Sequence, residues 1–221
     1  MTIFERALEF VPAGSAIGLG SGRAAAAFIK ALGERVRAGF DVRGVPASED
    51  SATLARQAGI PLVSLEEVMP LALTVDGADE VDPHLNLIKG YGRALVREKI
   101  VAAASRKLII LVGPGKTVQV LGERGKLPVE IVPFSLPLCR QRLPRLGCQP
   151  VLYERDGRPY LSNNGNYILD CAIAPIPAPA DLEDKIRAIP GVVGTGLFLG
   201  MAEMVLVGDQ NFHLLEERHR S

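Results

Sequence analysis

The stretch AIGLGSGRAAAAFIKALGERVRA, residues 16–38, decides the fold. Ala16 to Leu19 is a short apolar run that enters the glycine turn GLGSG, and an alanine-rich segment follows at once. The run predicts a strand. Ala24 to Ala38 predicts a helix, with Phe28, Leu32 and Val36 four residues apart on one face and Gly39 as its stop. A strand delivered through glycines straight into a helix is the opening of a parallel βαβ unit, so the chain reads as open α/β.

The alternation continues on both sides. A helix over Ile3 to Phe10 ends at Pro12 and Gly14. Strands are expected at Val42 to Val45, Pro61 to Val63 and Leu71 to Val75, with a helix over Ser51 to Ala58 among them. The loop DGADEVDPHLNLIKGYG, residues 76–92, leads to a helix over Ala94 to Ala104 and an apolar strand, Leu108 to Val112. Beyond GPGK the texture changes: prolines stand at 128, 133, 137, 144 and 150, and Asp156-Gly157 marks a hairpin turn. Residues 127–200 read as a small βαββαβ unit, while Met201 to Val207 returns to the first domain as a strand and Asn211 to Ser221 is a polar tail. The expected domains are therefore 1–126 plus 201–221, and 127–200.

Composition narrows the function. Hydrophobic residues make up 48% of 221 and the formal charge is zero, which argues against disorder and against a general affinity for nucleic acid or anionic membrane. Any anion site must be local. The N-terminal MTIFERALEFVPAG mixes charge into its apolar positions and is neither a signal peptide nor a membrane span, so a cytoplasmic protein is expected. Cys139, Cys148 and Cys171 show no metal-type spacing and read as buried free thiols. His84, His213 and His219 stand far apart, so no histidine-built metal site is expected.

Four segments can carry chemistry. The GLGSG turn at the start of a helix suits an anion, because glycines admit close backbone approach and helix-start amides favour negative charge. A ligand-free tight turn fits as well; a dinucleotide fingerprint would need glycine where Arg23 stands. Asp76 and Asp79 flank Gly77 and Ala78 just past a strand, where open α/β sheets bind ligands. Such carboxylates can accept hydroxyl hydrogen bonds and move protons, although with Glu80 and Asp82 beside them they also fit a calcium-type or merely solvated acidic turn. Lys89 and Lys116 follow strand ends on the same sheet edge and could stabilise negative charge developing on oxygen, or serve only as surface lysines. Glu98 shares a helix face with Ala94, Leu95 and Ala102, which suits a carboxylate base, but periodicity alone favours an ordinary Glu–Lys surface residue.

Together GLGSG, TVDGADEVD, LIKGYGRALVREKI, GPGKTVQVLG, LPVEIVPF, SNNGNYILD and IPGVVGTGLF resemble, in order and over nearly the whole chain, the type A ribose-5-phosphate isomerases. That resemblance implies a Rossmann-like parallel-sheet domain, a smaller ferredoxin-like α+β domain, and a homodimer built through the latter, with a tetramer as the alternative. It implies no metal and no cofactor. The catalytic glutamate falls on Glu98, the aspartates on Asp76 and Asp79, the lysines on Lys89 and Lys116, and the phosphate turn on Ser21, Gly22, Arg23 and Ala24. Substrate contacts are also implied for Gly77, Ala78, Gly90, Tyr91 and Gly92. The reaction implied is the interconversion of ribose 5-phosphate and ribulose 5-phosphate through an enediolate. Three departures bear on it: Arg23 and Ala24 replace hydroxyl residues in the phosphate turn, KGGG has become KGYG with Tyr91 and Arg93 near the backbone turn, and the acidic residue usual a few positions before the late lysine is missing from GPGK. A sugar-phosphate sensor without catalysis, or an isomerase of another phosphorylated aldose, are the competing expectations.

Overall fold

The structure, a computed structural model, describes residues 1–220. The chain forms two compact units: unit 1 is Met1–Ala78, Arg97–Lys116 and Gly200–Ser221, and unit 2 is Asp79–Val96 and Thr117–Leu199. Residues 79–96 and 117–126, expected in the first domain, cluster with unit 2. The reason lies in strand pairing, because the acidic loop folds into a small sheet with a late segment of unit 2, as described below.

Unit 1 holds a six-stranded sheet built from β1 (Ser15–Leu19), β2 (Val42–Pro46), β3 (Thr74–Gly77), β6 (Leu108–Val112), β14 (Met204–Gly208) and β15 (Leu214–His219), in the order β15-β14-β6-β3-β1-β2. Neighbours are parallel except β14 and β15, which are antiparallel. The helices are α1 (Ile3–Glu9), α2 (Arg23–Arg37), α3 (Glu49–Gln57), α4 (Leu65–Val68) and α5 (Leu95–Ala103), the first two residues of α5 counting with unit 2. All five residues of β6 are buried, as a central parallel strand requires. The face of α2 bearing Phe28, Ile29 and Leu32 is buried against Ile17, Leu19 and Val75 in one cluster, and each of those three side chains contributes about 1.5–3 kcal/mol.

Three expectations are corrected here. Residues 61–63 make only a single bridge, Leu62 with Gly44, and no strand. The strand expected over Leu71 to Val75 starts at Thr74 and carries Asp76 and Gly77 on it. The supposed polar tail is β15: its Glu217 takes Arg6 of α1 as an ion-pair partner and Leu214 packs on the core, so charge and pairing together make a strand from a polar sequence. Ser221 lies outside the described residues.

Unit 2 centres on a four-stranded antiparallel sheet of β7 (Lys126–Ile131), β8 (Gln149–Leu152), β11 (Tyr167–Ala172) and β12 (Val192–Thr195), in the order β12-β7-β11-β8. With α6 (Leu136–Arg142) between β7 and β8, and α7 (Pro179–Arg187) between β11 and β12, this is the expected ferredoxin-like βαββαβ. Leu127, Val129 and Ile131 alternate into a core shared with Cys139, Cys148 and Cys171, which are buried free thiols. Burial pushes the Cys148 thiol up to about 11 and the Cys171 thiol up as well. The turn between β9 (Glu154–Arg155) and β10 (Arg158–Pro159) places Asp156 and Gly157 at φ 53° and 72°, the left-handed geometry that a two-residue hairpin demands. A last sheet joins β4 (Glu80–Val81), β5 (Leu87–Ile88) and β13 (Leu197–Phe198). Among the described residues no helix is long and apolar enough to cross a membrane.

Candidate active site residues

In unit 1 the chain leaves β1 for β2 on one side and then places β3 on the other. Such a reversal opens a crevice at the carboxyl ends of the two flanking strands, here β1 and β3. Gly20 to Gly22 end the first and Asp76 and Gly77 the second. They touch: Asp76 Oδ1 accepts from the Ser21 amide at 3.0 Å and from the Gly77 amide at 2.7 Å. A Cβ on Gly20 would lie 2.2 Å from Asp76 Cγ, so only glycine lets this fully buried carboxyl group tuck beneath the turn. Gly22, at φ 87°, caps α2 without a side chain. The first amides of that 15-residue helix therefore meet no side-chain cap, and they carry the positive end of the helix dipole. Arg23 is exposed at the first helical position, and the Ala24 methyl lies 3.5 Å from where a side chain on Gly77 would begin.

Behind the turn stands a chain of hydroxyls. Ser51 Oγ donates to the Gly20 carbonyl at 2.5 Å and lies 2.9 Å from Ser48 Oγ, which in turn lies 3.1 Å from Ser21 Oγ. Ser48 also caps α3, accepting the Ser51 amide at 3.1 Å. Both inner serines are buried.

Glu98 sits on α5 and is only 3% exposed. Three residues on, Val101 accepts from Thr74 Oγ1 through its carbonyl, and its side chain covers Gly18 of β1. Residues three apart share a helix face. Glu98 lies on the same side of α5 as Val101 and is buried, not a surface residue. Its neighbour Arg97 pairs with Glu49 at 3.0 Å, linking α5 to the start of α3. Lys116 is half-buried in the turn beyond β6.

Unit 2 carries the remaining candidates. Asp79 Oδ2 accepts the Tyr91 amide at 2.9 Å, so the acidic loop and the KGYG turn are tied directly. Lys89 is 3% exposed; its amide donates to the Gly196 carbonyl at 2.8 Å and its ammonium lies 5.4 Å from the Phe198 ring centroid. Gly90 takes φ 103°, while Gly92 is exposed. Ala78 ends unit 1 beside these residues in sequence and is half-buried. Glu80 and Asp82 hold backbone amides: Glu80 accepts from Gly122 and Arg124, and Asp82 from His84 and Asn86. Burial raises the Glu80 pKa.

The side chains of Tyr91 and Arg93 go to the unit 2 sheet. Tyr91 Oη donates to the Lys126 carbonyl at 3.3 Å beneath the Lys126 ammonium, and burial pushes its pKa up to about 12. Arg93 is buried at φ 71°, a backbone region that disfavours side chains. It makes a two-pronged ion pair with Asp170 at 2.5 and 2.9 Å and stacks 3.7 Å above the Tyr153 ring. Neither Asp170 nor the Ser48–Ser51 pair was singled out from sequence. The available signal for the serines was a Ser-x-x-Ser spacing just past the strand next to the glycine turn; for Asp170, 77 residues from its partner, there was none.

An open parallel sheet with a glycine turn and a buried carboxylate at its carboxyl edge places this chain among the α/β proteins that bind ligands at strand ends. Comparison with known proteins narrows this. The family model for ribose 5-phosphate isomerase A (phosphoriboisomerase A) matches residues 43–211. The ribose-5-phosphate isomerase A of Roseiflexus castenholzii is 50% identical over 206 residues, covering 92% of this chain and 88% of its own. That of Gloeobacter violaceus is 50% identical over 210 residues, covering 95% and 91%. A solved D-ribose-5-phosphate isomerase in complex with phospho-erythronic acid superposes with a TM-score of 0.94 at 37% identity, over 98% of this chain and 96% of that one. The chain belongs to the ribose 5-phosphate isomerase A family.

Proposed function

We propose that this chain interconverts ribose 5-phosphate and ribulose 5-phosphate, with Glu98 as the general base. The observation that carries the base assignment is the burial of Glu98 on α5, where a surface Glu–Lys pair would be exposed. In this reading Glu98 takes the proton from C2, alpha to the C1 aldehyde, and returns it to C1 from the resulting enediolate. Asp76 and Asp79 assist ring opening by accepting from sugar hydroxyls. Lys89 and Lys116 stabilise the negative oxygen. Ser21 to Ala24 hold the phosphate through helix-start amides, with exposed Arg23 supplying the charge that the lost hydroxyls do not. Gly77, Ala78 and Gly90 to Gly92 contribute backbone contacts, with Tyr91 acting through its amide. No cofactor enters, and the setting is the cytoplasmic pentose phosphate pathway. Purified protein, treated with a chelator and desalted, is expected to form ketose from ribose 5-phosphate and to exchange the C2 hydrogen with solvent. Binding of ribose 5-phosphate without exchange would make it a sensor, and faster turnover of another aldose phosphate would change the substrate.

Residues 1–126 and 201–221 are the catalytic part in this reading, and residues 127–200 mediate self-association into a homodimer. Supporting this, unit 2 presents Phe134, 96% exposed, next to exposed Val132 and Val193. Isolated apolar residues are ordinary on surfaces, but clustered ones mark interfaces. Light scattering of the purified protein should give twice the chain mass, and Phe134→Asp should lower it; a monomer for the parent would remove the assignment.

A further inference from the structure

The hydroxyl chain behind the glycine turn has a proton count that bears on how the turn meets an anion. Each serine hydroxyl carries one proton. Ser51 gives its own to the Gly20 carbonyl, and Ser48 Oγ already accepts the Ser51 amide. The Ser48 proton then has two acceptors within reach, Ser51 Oγ at 2.9 Å and Ser21 Oγ at 3.1 Å. If it goes to Ser51, Ser21 satisfies Ser48 by donating inward and turns lone pairs to the crevice, which repel an anion. If it goes to Ser21, the Ser21 proton is released outward.

We infer that Ser48 is a positioning residue for anion binding: by donating to Ser21 Oγ it turns the Ser21 hydroxyl into an outward donor for the phosphate of the substrate. This rests on the phosphate reading of the Ser21–Ala24 turn. Burial of Ser48 and Ser51 keeps water from competing for their protons, so the Ser48 proton has only these two acceptors. An arriving dianion selects the outward one. Ser48 is built into the structure independently as the α3 cap, which fixes its Oγ in place.

The test uses inorganic phosphate as ligand by calorimetry, and KM against kcat with ribose 5-phosphate, on Ser21→Ala, Ser48→Gly, Ser48→Thr and the Ser21→Ala/Ser48→Gly double variant. Glycine caps a helix nearly as well as serine, so Ser48→Gly removes the hydroxyl and spares the helix. Ser48→Gly should weaken phosphate about 5- to 10-fold, with the larger share of the kinetic effect in KM. Ser48→Thr should restore most of it. Because Ser48 acts through Ser21, the double variant should lose no more than Ser21→Ala alone. Parental phosphate affinity in Ser48→Gly, with Ser21→Ala weakened, would overturn the relay and leave the phosphate turn standing; so would losses that multiply in the double variant. Parental affinity in Ser21→Ala would overturn the relay and leave the amides of the turn as the phosphate contact; no phosphate binding by the parent protein would overturn both.

Discussion

Glu98→Gln should lower kcat at least about 10²-fold with little change in KM, since the amide keeps the shape of the side chain and removes the only proton acceptor assigned to carbon chemistry. The comparison is informative because Glu98 is buried: an exposed glutamate replaced by glutamine would change activity little. Exchange of the C2 hydrogen with deuterated solvent should fall in parallel, as both readings pass through the same enediolate. Turnover within a few-fold of the parent would remove Glu98 from the mechanism whatever the family relationship.

The second large effect is on stability. Asp170→Ala leaves the buried Arg93 guanidinium without its carboxylate and takes from Lys126 a partner at 3.6 Å. Breaking a buried pair by removing one side costs about 3–5 kcal/mol; because Asp170 is 20% exposed, about 2–3 kcal/mol is expected, seen as a lower midpoint in urea unfolding. Arg93→Gly in that background should recover part of the loss, because glycine tolerates φ 71° and no charge remains to be paired. If Asp170→Ala matches the parent, the ion pair contributes nothing to the fold. The same variant should disturb the KGYG turn, since Arg93 follows Gly92 and its amide bonds to the Gly90 carbonyl at 2.9 Å.

Much of the architecture was readable because local periodicity and core burial agree. The Phe28, Leu32, Val36 spacing gave α2, and five consecutive apolar residues gave β6 as a doubly covered strand. The proline-rich region still yielded the βαββαβ order, since Pro133 and Pro137 sit at helix starts, where a missing amide costs nothing. What stayed hidden depended on distant partners. Leu214 to His219 are polar enough to pass for a tail and become a strand only beside β14. The grouping of residues 79–96 with unit 2 required knowing that Leu87 and Ile88 pair with Leu197 and Phe198. The candidate residues follow the same rule. Asp76 could be named from its strand end and Glu98 through the family resemblance, whereas the Ser21–Ser48 contact and the Arg93–Asp170 clamp join positions that no spacing relates.

The threading of the chain carries a cost during synthesis. Unit 1 is gathered from three separate lengths of polypeptide and unit 2 from two, so neither is made of one uninterrupted stretch of chain. On the ribosome, β6 must wait for residues 204–208 before it is flanked on both sides. Until then one edge of its Leu-Ile-Ile-Leu-Val backbone is open to strand addition, a hazard for nascent chains in this interval.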